Sequence, residues 1–151
     1  MTLDLSPFGI AGSLVHEFSY TINWNDADLT GDEGNAQTVT YAATVAGGAA
    51  AVIPAGAVIL GTVESTSADW EKAAAAAIDI KLNLLIGTTD ISGAGFDPTL
   101  GVQTSGFVGL PLEGAVTVTV TDNDGLVNLN TLTAGSSTLK FSYFLPRAHA
   151  Q

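Results

Sequence analysis

Carboxylates are the side chains of this sequence with the greatest potential for chemistry, and they are densest in residues 25–33 (NDADLTGDE). Alternating carboxylates on a loop with a glycine at its bend can supply the oxygen ligands, about six to eight, that Ca²⁺ takes. The spacing differs from an EF-hand loop, because the glutamate that completes such a loop is missing. We therefore expect a solvated acidic loop between Asp26 and Glu33, with calcium binding as the alternative.

A pair of carboxylates for general acid–base catalysis is not indicated. A glycosidase needs two carboxyl groups across a cleft, one of them with a raised pKa. Glu17 and Asp79 lie in predicted strands, but the alternation places both on the face opposite the apolar side chains. Residues 122–124 (DND) are those that a tight turn favours, and such a turn accounts for them.

Histidine offers little scope for metal chemistry, since the chain has only two. His16 alternates in register with Phe18 and Tyr20, so we expect it to face inward or into a subunit contact. A cupin-like oxygenase needs a histidine-rich metal set inside its barrel, and this chain lacks one. Nucleophile motifs and phosphate-binding glycine loops are also missing from the sequence. We expect no enzyme, no catalytic residues, no cofactor and no metal.

The two tryptophans are the remaining candidates for a binding site. Trp24 adjoins the acidic loop, and Trp70 lies in a segment of ambiguous secondary structure. Aromatic faces stack on sugars, and jelly rolls often serve as lectin domains. The alternative for both residues is a place at the edge of the core or in a subunit contact.

Composition excludes several classes of partner. The chain has 151 residues, a net charge of −11, four basic residues and no cysteine. Four basic side chains cannot form a phosphate-binding stripe, so nucleic acid and anionic membranes are not expected partners. The most apolar stretch, residues 49–60, is too short for a bilayer, which takes about 20 residues. The acidity instead favours a basic partner surface, or serves solubility.

The elements that must position these residues follow a period of two. Apolar and polar residues alternate in several short segments with turn residues at roughly ten-residue spacing, which is typical of a sandwich or barrel. We predict an all-β fold, a single-domain antiparallel β-sandwich forming an eight-stranded jelly roll over residues 14–146. Residues 1–13 form an extended N-terminal arm and residues 147–151 a tail. Seven of the predicted strands have definite bounds, and these are 14–23, 37–45, 57–64, 78–86, 106–110, 115–121 and 138–144.

The connections between these strands are predicted from glycine, proline and small polar residues. Residues 54–56 (PAG) indicate a turn, and residues 87–101 a long loop. Pro111 is expected to stop a strand. Residues 67–77 fit either a turn of helix or a loop, because the alanines at 73–77 have high helix propensity but form only a short run.

Three segments of the chain together resemble the jelly-roll capsid decoration (cement) proteins of tailed bacteriophages. They are residues 53–59 (IPAGAVI), the strand 78–86 running into 87–90 (GTTD), and residues 128–135 (NLNTLTAG), followed by a closing strand and 145–146 (LP). The resemblance extends over residues 40–146. The alanine run at 73–77 and the first forty residues depart from it.

This resemblance implies a structural role. Such proteins sit as homotrimers on the outer surface of the phage head, made in the host cytoplasm, and clamp neighbouring copies of the major capsid protein against the pressure of packaged DNA. No catalytic residues are implied. The alternative from the residues themselves is a carbohydrate- or receptor-binding jelly-roll module of a virion or cell surface, with its site near Trp24 or Trp70.

The predicted arm generates a first test. A variant that lacks residues 1–12 is expected to fold as the full chain does but to bind phage shells more weakly, because an arm that orders on binding adds contact area. Shell binding is measured by co-sedimentation, and folding by circular dichroism. Equal binding of the shortened and full chains would show that the arm has no part in attachment.

Overall fold

A computed structural model describes residues 15–27, 29, 37–42, 49–72, 79–98, 101–105, 111–123 and 129–146. These residues form strands and one short 3₁₀ turn, Leu129–Thr131. Across the described ranges, no helix is long and apolar enough to cross a membrane. The strands are β1 (Val15–Asn23), β2 (Gln37–Ala42), β3 (Val52–Lys72), β4 (Ile80–Ile86), β5 (Thr89–Asp90), β6 (Val102–Ser105), β7 (Pro111–Asp122) and β8 (Leu132–Phe144).

The strands form two four-stranded antiparallel layers. Sheet I has the order β6-β3-β8-β1, and sheet II has the order β2-β7-β4-β5. The first residues of β3 also pair with the first residues of β7, so the two sheets are joined at one corner. The predicted all-β antiparallel sandwich is therefore confirmed.

Four of the pairings are nested. β1 pairs with β8, β2 with β7, β3 with β6 and β4 with β5, all antiparallel. This is the order that results when one long hairpin of eight strands is folded over on itself. Rolling the hairpin then brings β3 against β8 and β7 against β4, which completes the two sheets.

The core lies between the sheets and follows the predicted alternation closely. In β4, every second residue is buried, beginning with Ile80 and ending with Ile86. The second half of β7 supplies alternate valines to the same layer. From sheet I, Ile22, Ile59, Leu139 and Phe141 pack against them, with Phe18 and Tyr20 partly buried at the edge. Burial of these side chains is the main source of stability.

The strand β3 is far longer than predicted. It covers 21 residues and absorbs both the predicted turn at residues 54–56 and the first part of the ambiguous segment. The pairing with β7 shifts register between Ile53 and Ala57, and Gly56 has φ +80°. The proline and glycine thus form a bulge within a strand, where a missing N–H and a positive φ are tolerated.

The ambiguous segment is extended where the structure describes it. Residues 67–72 continue β3 and pair with β8 through Ala68, Glu71 and Lys72. The prediction of a helical turn or loop was therefore wrong for these residues, because tertiary pairing overrides a weak local propensity. The alanine run at 73–77 lies outside the described residues.

The observed strand boundaries between residues 87 and 111 also differ from the predicted ones. Pro111 is itself a strand residue, the first of β7, and lies opposite Val58; proline is compatible with the first position of a strand. The predicted long loop at 87–101 contains β5, and β6 follows it directly. The predicted arm 1–13, the strand 106–110 and the tail 147–151 all lie outside the described residues.

The packing of Trp70 on Gly135 closes one end of sheet I. A Cβ atom at Gly135 would lie 2.7 Å from Cγ and Cδ2 of Trp70, and the backbone φ at this glycine is +141°. The indole is 2% exposed. A side chain at position 135 would thus both clash with a buried ring that cannot swing away and occupy a backbone region that L-residues rarely adopt.

We predict that Gly135→Ala lowers the free energy of unfolding by about 2–4 kcal/mol, the sum of overpacking and positive-φ costs. Gly101→Ala is the matched control, because its φ is +80° but nothing lies within 4 Å of the added Cβ. It should cost only the backbone term, about 1–2 kcal/mol. Urea unfolding measures both values, and equal losses would contradict the proposed clash.

Candidate functional site

The acidic loop is only partly described. Asp26 is half-buried; its N–H donates to the carbonyl of Asn23 at 3.0 Å, and its own carbonyl accepts from Leu29 N–H at 3.0 Å. Leu29 is buried, so this end of the loop is anchored to the core. Residues 28 and 30–33 lie outside the described ranges. Nowhere in the described ranges do three or more His, Cys, Asp or Glu residues group as a metal ion would need.

Residues 122–124, which were predicted to form a tight turn, are only partly in a turn position. Asp122 is the last residue of β7 and is fully buried, so its prediction as a turn residue was wrong. Asn123 follows it, and its N–H donates to the carbonyl of Asp79 at 3.0 Å. Asp79 itself is exposed, as predicted. Asp124 lies outside the described residues. The Asn123–Asp79 hydrogen bond connects the end of β7 to the residue before β4.

The residues of β1 lie where the alternation predicts. Glu17 is exposed on the outer side of sheet I. His16 is half-buried and stacks on Tyr143, with ring centroids 5.0 Å apart and planes 19° from parallel. Phe18 and Phe141 pack in the next row at 5.1 Å. His16 thus extends an aromatic cluster of the core edge.

The two tryptophans do not form a common platform. Trp70 is buried, and its indole N–H donates to Ser137 Oγ at 2.9 Å. Trp24 is 39% exposed beside the start of the acidic loop. Its backbone N–H donates a hydrogen bond to the carbonyl of Gly135. The core alternative therefore holds for Trp70, and only Trp24 presents a ring to solvent.

A buried polar cluster, which the sequence patterns did not single out, surrounds Glu64. This side chain is fully buried on the inner side of β3. Thr66 Oγ1 donates to Glu64 Oε1 and lies 2.8 Å from Ser137 Oγ. Because the indole N–H of Trp70 can only donate, the bonds run in one direction, from Trp70 through Ser137 and Thr66 to the carboxylate. The other carboxylate oxygen, Oε2, has no hydrogen-bond partner among the described residues.

Burial raises the pKa of Glu64 above its usual value of 4.5. Hydrogen-bonding side chains of Thr66, Ser137 and Gln103 oppose this effect, and the nearby charge of Asp97 reinforces it. A raised pKa in a cleft would suggest an acid catalyst. Here the carboxyl group is sealed inside the sandwich with no exposed surface, so no substrate reaches it.

The period of two in the sequence does not identify Glu64 as a buried residue. Glu64 stands two residues after Thr62 and five after Ile59 in a strand that alternates, and a bulge between Ile59 and Gly61 shifts the register by one. Without that shift, Glu64 would be assigned to the face opposite Ile59. Bulges depend on tertiary pairing, so the period alone misplaces this residue.

The outer side of sheet I carries mostly small side chains. Paired residues point to the same side of a sheet, and the register aligns three rows across the strands. Nearly all members are Ser, Thr, Val or Gly, and Thr21 and Thr138 hydroxyls are joined at 2.9 Å. The rows are Glu17–Ser142–Gly61, Ser19–Lys140–Val63–Thr104 and Thr21–Thr138–Ser65–Val102. We call these residues the outer face.

A groove of about 430 Å³ adjoins the outer face. It lies over β3 between β6, β8 and β1, and the described residues that line it are uncharged. Val15, Leu60 and Val63 contribute apolar side chains, and the remaining lining residues are Gly, Ser and Thr. Such a surface can accept an apolar side chain of a partner.

Comparisons with known proteins yield one structural likeness. No family model matches this chain, and no curated protein matches it. A solved structure, the cyanophage Pam1 capsid asymmetric unit, is similar over 89% of this chain and 86% of that chain, with 19% sequence identity and a TM-score of 0.49.

The raised pKa of Glu64 predicts how stability depends on pH. A carboxyl group whose pKa is higher in the folded than in the unfolded chain contributes stability at pH values below the unfolded pKa. That contribution is lost as pH rises through the folded pKa. Glu64→Gln keeps the neutral form at every pH. We therefore expect the variant to be more stable than the wild type at pH 7–8 and similar to it near pH 4.

The expected gain at pH 7–8 is of the order of 1–3 kcal/mol, the usual penalty for a buried and incompletely bonded polar group. Urea unfolding at a series of pH values measures it. Glu113→Gln is the control, because Glu113 is exposed on β7 and a surface change is expected to stay within about 0.5 kcal/mol. A Glu64→Gln variant that is less stable at pH 8 would refute the assignment.

Proposed function

We propose that this chain is a capsid decoration protein of a tailed bacteriophage, which binds the outer surface of the head as a homotrimer and stabilises the shell. The observation that carries the proposal is the outer face of sheet I, in which nine of the eleven residues are Ser, Thr, Val or Gly. Surfaces of this kind are suited to large, closely packed contacts. The major capsid protein is the proposed partner.

The nested pairing of the strands supports the jelly-roll form of the proposal. Eight antiparallel strands in two sheets that pair as one rolled hairpin are the arrangement of a jelly roll. The pairing of β3 with β7 joins the two sheets at one corner, and their outer sides remain as faces for contact.

The segments that carry the resemblance all have structural roles. Residues 53–59 contain the bulge that joins the two sheets. At the turn after β4, Asp90 accepts from Asn83 Nδ2 at 2.7 Å and from the backbone N–H of Ser92 at 2.8 Å. The third segment starts β8 and packs Gly135 against Trp70. None of these groups is arranged for catalysis, which favours a structural protein.

Charge supports attachment to a basic partner. The chain carries −11, and acids such as Asp69, Glu71 and Glu113 are exposed and are not among the residues of the outer face. An acidic surface attracts a basic one over about a Debye length, and salt weakens that attraction. Attachment to the capsid should therefore become weaker as ionic strength rises.

The alternative is a carbohydrate- or receptor-binding module. Burial of Trp70 removes one of its two proposed aromatic residues. Exposed Trp24 beside the acidic loop is the observation that keeps it as a second candidate. This function would require calcium or Trp24 for activity, whereas the decoration function requires neither.

Native mass spectrometry with and without EDTA distinguishes the two. We expect an assembly of three 15.3-kDa chains that EDTA leaves unchanged. The same preparation should co-sediment with phage shells that lack it and raise the temperature at which those shells release DNA. A monomer that fails to bind shells, or an assembly that retains calcium and dissociates in EDTA, would contradict the decoration function.

A further inference from the structure

We propose that the outer face of sheet I, together with its adjoining groove, is the surface through which copies of this chain contact one another. The inference rests on the proposed function, because it assigns the contact of the proposed trimer to particular residues. It goes beyond that function in separating two surfaces, one for self-association and one for the capsid.

The net charge of the chain limits where two copies can meet. Copies that each carry −11 repel one another, so a contact between them is favoured where the surface has no net charge. Among the residues of the outer face only Glu17 and Lys140 are charged, and their charges cancel. A basic capsid, by contrast, would gain most from the acidic residues that lie elsewhere.

Exposed apolar side chains are concentrated at the same surface. The described residues expose five large ones, and three of them, Leu60, Val63 and Val102, lie on the outer face or at its groove. Val102 is 68% exposed on the edge strand β6. Apolar residues gathered on one side of a soluble protein mark a contact surface.

The symmetry of a trimer is compatible with this surface. A contact that closes three copies into a ring is heterologous, so one patch of each copy meets a different patch of the next. The groove of about 430 Å³ lined by Val15, Leu60 and Val63 supplies one patch, and the adjoining residues of the outer face supply the other. Because its lining is uncharged, it fits an apolar side chain of a second copy and no ionic ligand.

The test introduces one negative charge at matched exposed valines. Val63→Glu and Val102→Glu place it on the outer face, and Val52→Glu places it at another exposed valine, 61% accessible, at the start of β3. Analytical ultracentrifugation of the full-length proteins gives the trimer dissociation constant. We expect the face variants to weaken the trimer at least tenfold and Val52→Glu to change it less than threefold.

A charge reversal tests the same surface without loss of apolar area. Lys140→Glu gives the outer face a net charge of −2 while leaving its valines in place. Its effect should decrease in 1 M salt, where the Debye length is about 3 Å, whereas shell binding by the wild type should weaken in the same salt. Circular dichroism and thermal unfolding verify that each variant is folded, and Val102, at an exposed edge, is the position least able to disturb the core.

The outcomes separate this inference from the proposed function. A wild-type trimer that survives both Val63→Glu and Val102→Glu, or that dissociates with Val52→Glu instead, overturns the outer face as the contact but leaves the trimer intact. A wild type that is monomeric at all concentrations overturns both the contact and the trimer. Loss of shell binding by the face variants without loss of the trimer would assign the face to the capsid and overturn the inference.

Discussion

The antiparallel pairing of β3 with β8 is the interaction on which the rest of the structure depends. β8 follows one edge of β3 from Val58 to Lys72, while the opposite edge pairs first with β7 and then with β6. One strand thereby belongs to both sheets. The bulge around Gly56 lets β3 turn from one layer into the other without breaking, since a bulge bends a strand and increases its twist.

The polar cluster within this pair specifies its register. Directional hydrogen bonds connect Trp70 and Thr66 of β3 to Ser137 of β8. A slip of one residue would move every side chain to the other face, breaking these bonds and placing Val63 in the core and Glu64 in water. The buried carboxylate costs stability at neutral pH. In return, the cluster makes the native pairing the one in which each of these hydroxyl and indole groups has a partner, a role documented for some buried polar groups.

Sequence periodicity was sufficient where strands are regular. It placed the buried residues of β4, the second half of β7 and the inward side of β1, because each of these segments alternates between a more buried and a more exposed face. It failed where the local pattern is weak and pairing decides the structure: β6 forms because β3 offers an edge, and residues 67–72 are extended because β8 lies beside them. The buried cluster around Glu64 and the outer face were missed for the same reason. Glu64 points inward only because the bulge before Gly61 shifts the alternation. The three rows of the outer face become visible only when the register of all four strands of sheet I is known.

The core and the surface of sheet I are two consequences of one register. The residues that alternate with Thr62, Glu64 and Leu139 are those of the outer face, so any change of register that altered the surface would also expose the buried cluster. A contact surface made of strand residues is in this way fixed by the packing beneath it, whereas one made of loops can be remodelled independently. Because strand pairing already orders its residues, such a face can meet another copy of the chain with little ordering cost. The acidic residues outside it remain available for a partner of opposite charge.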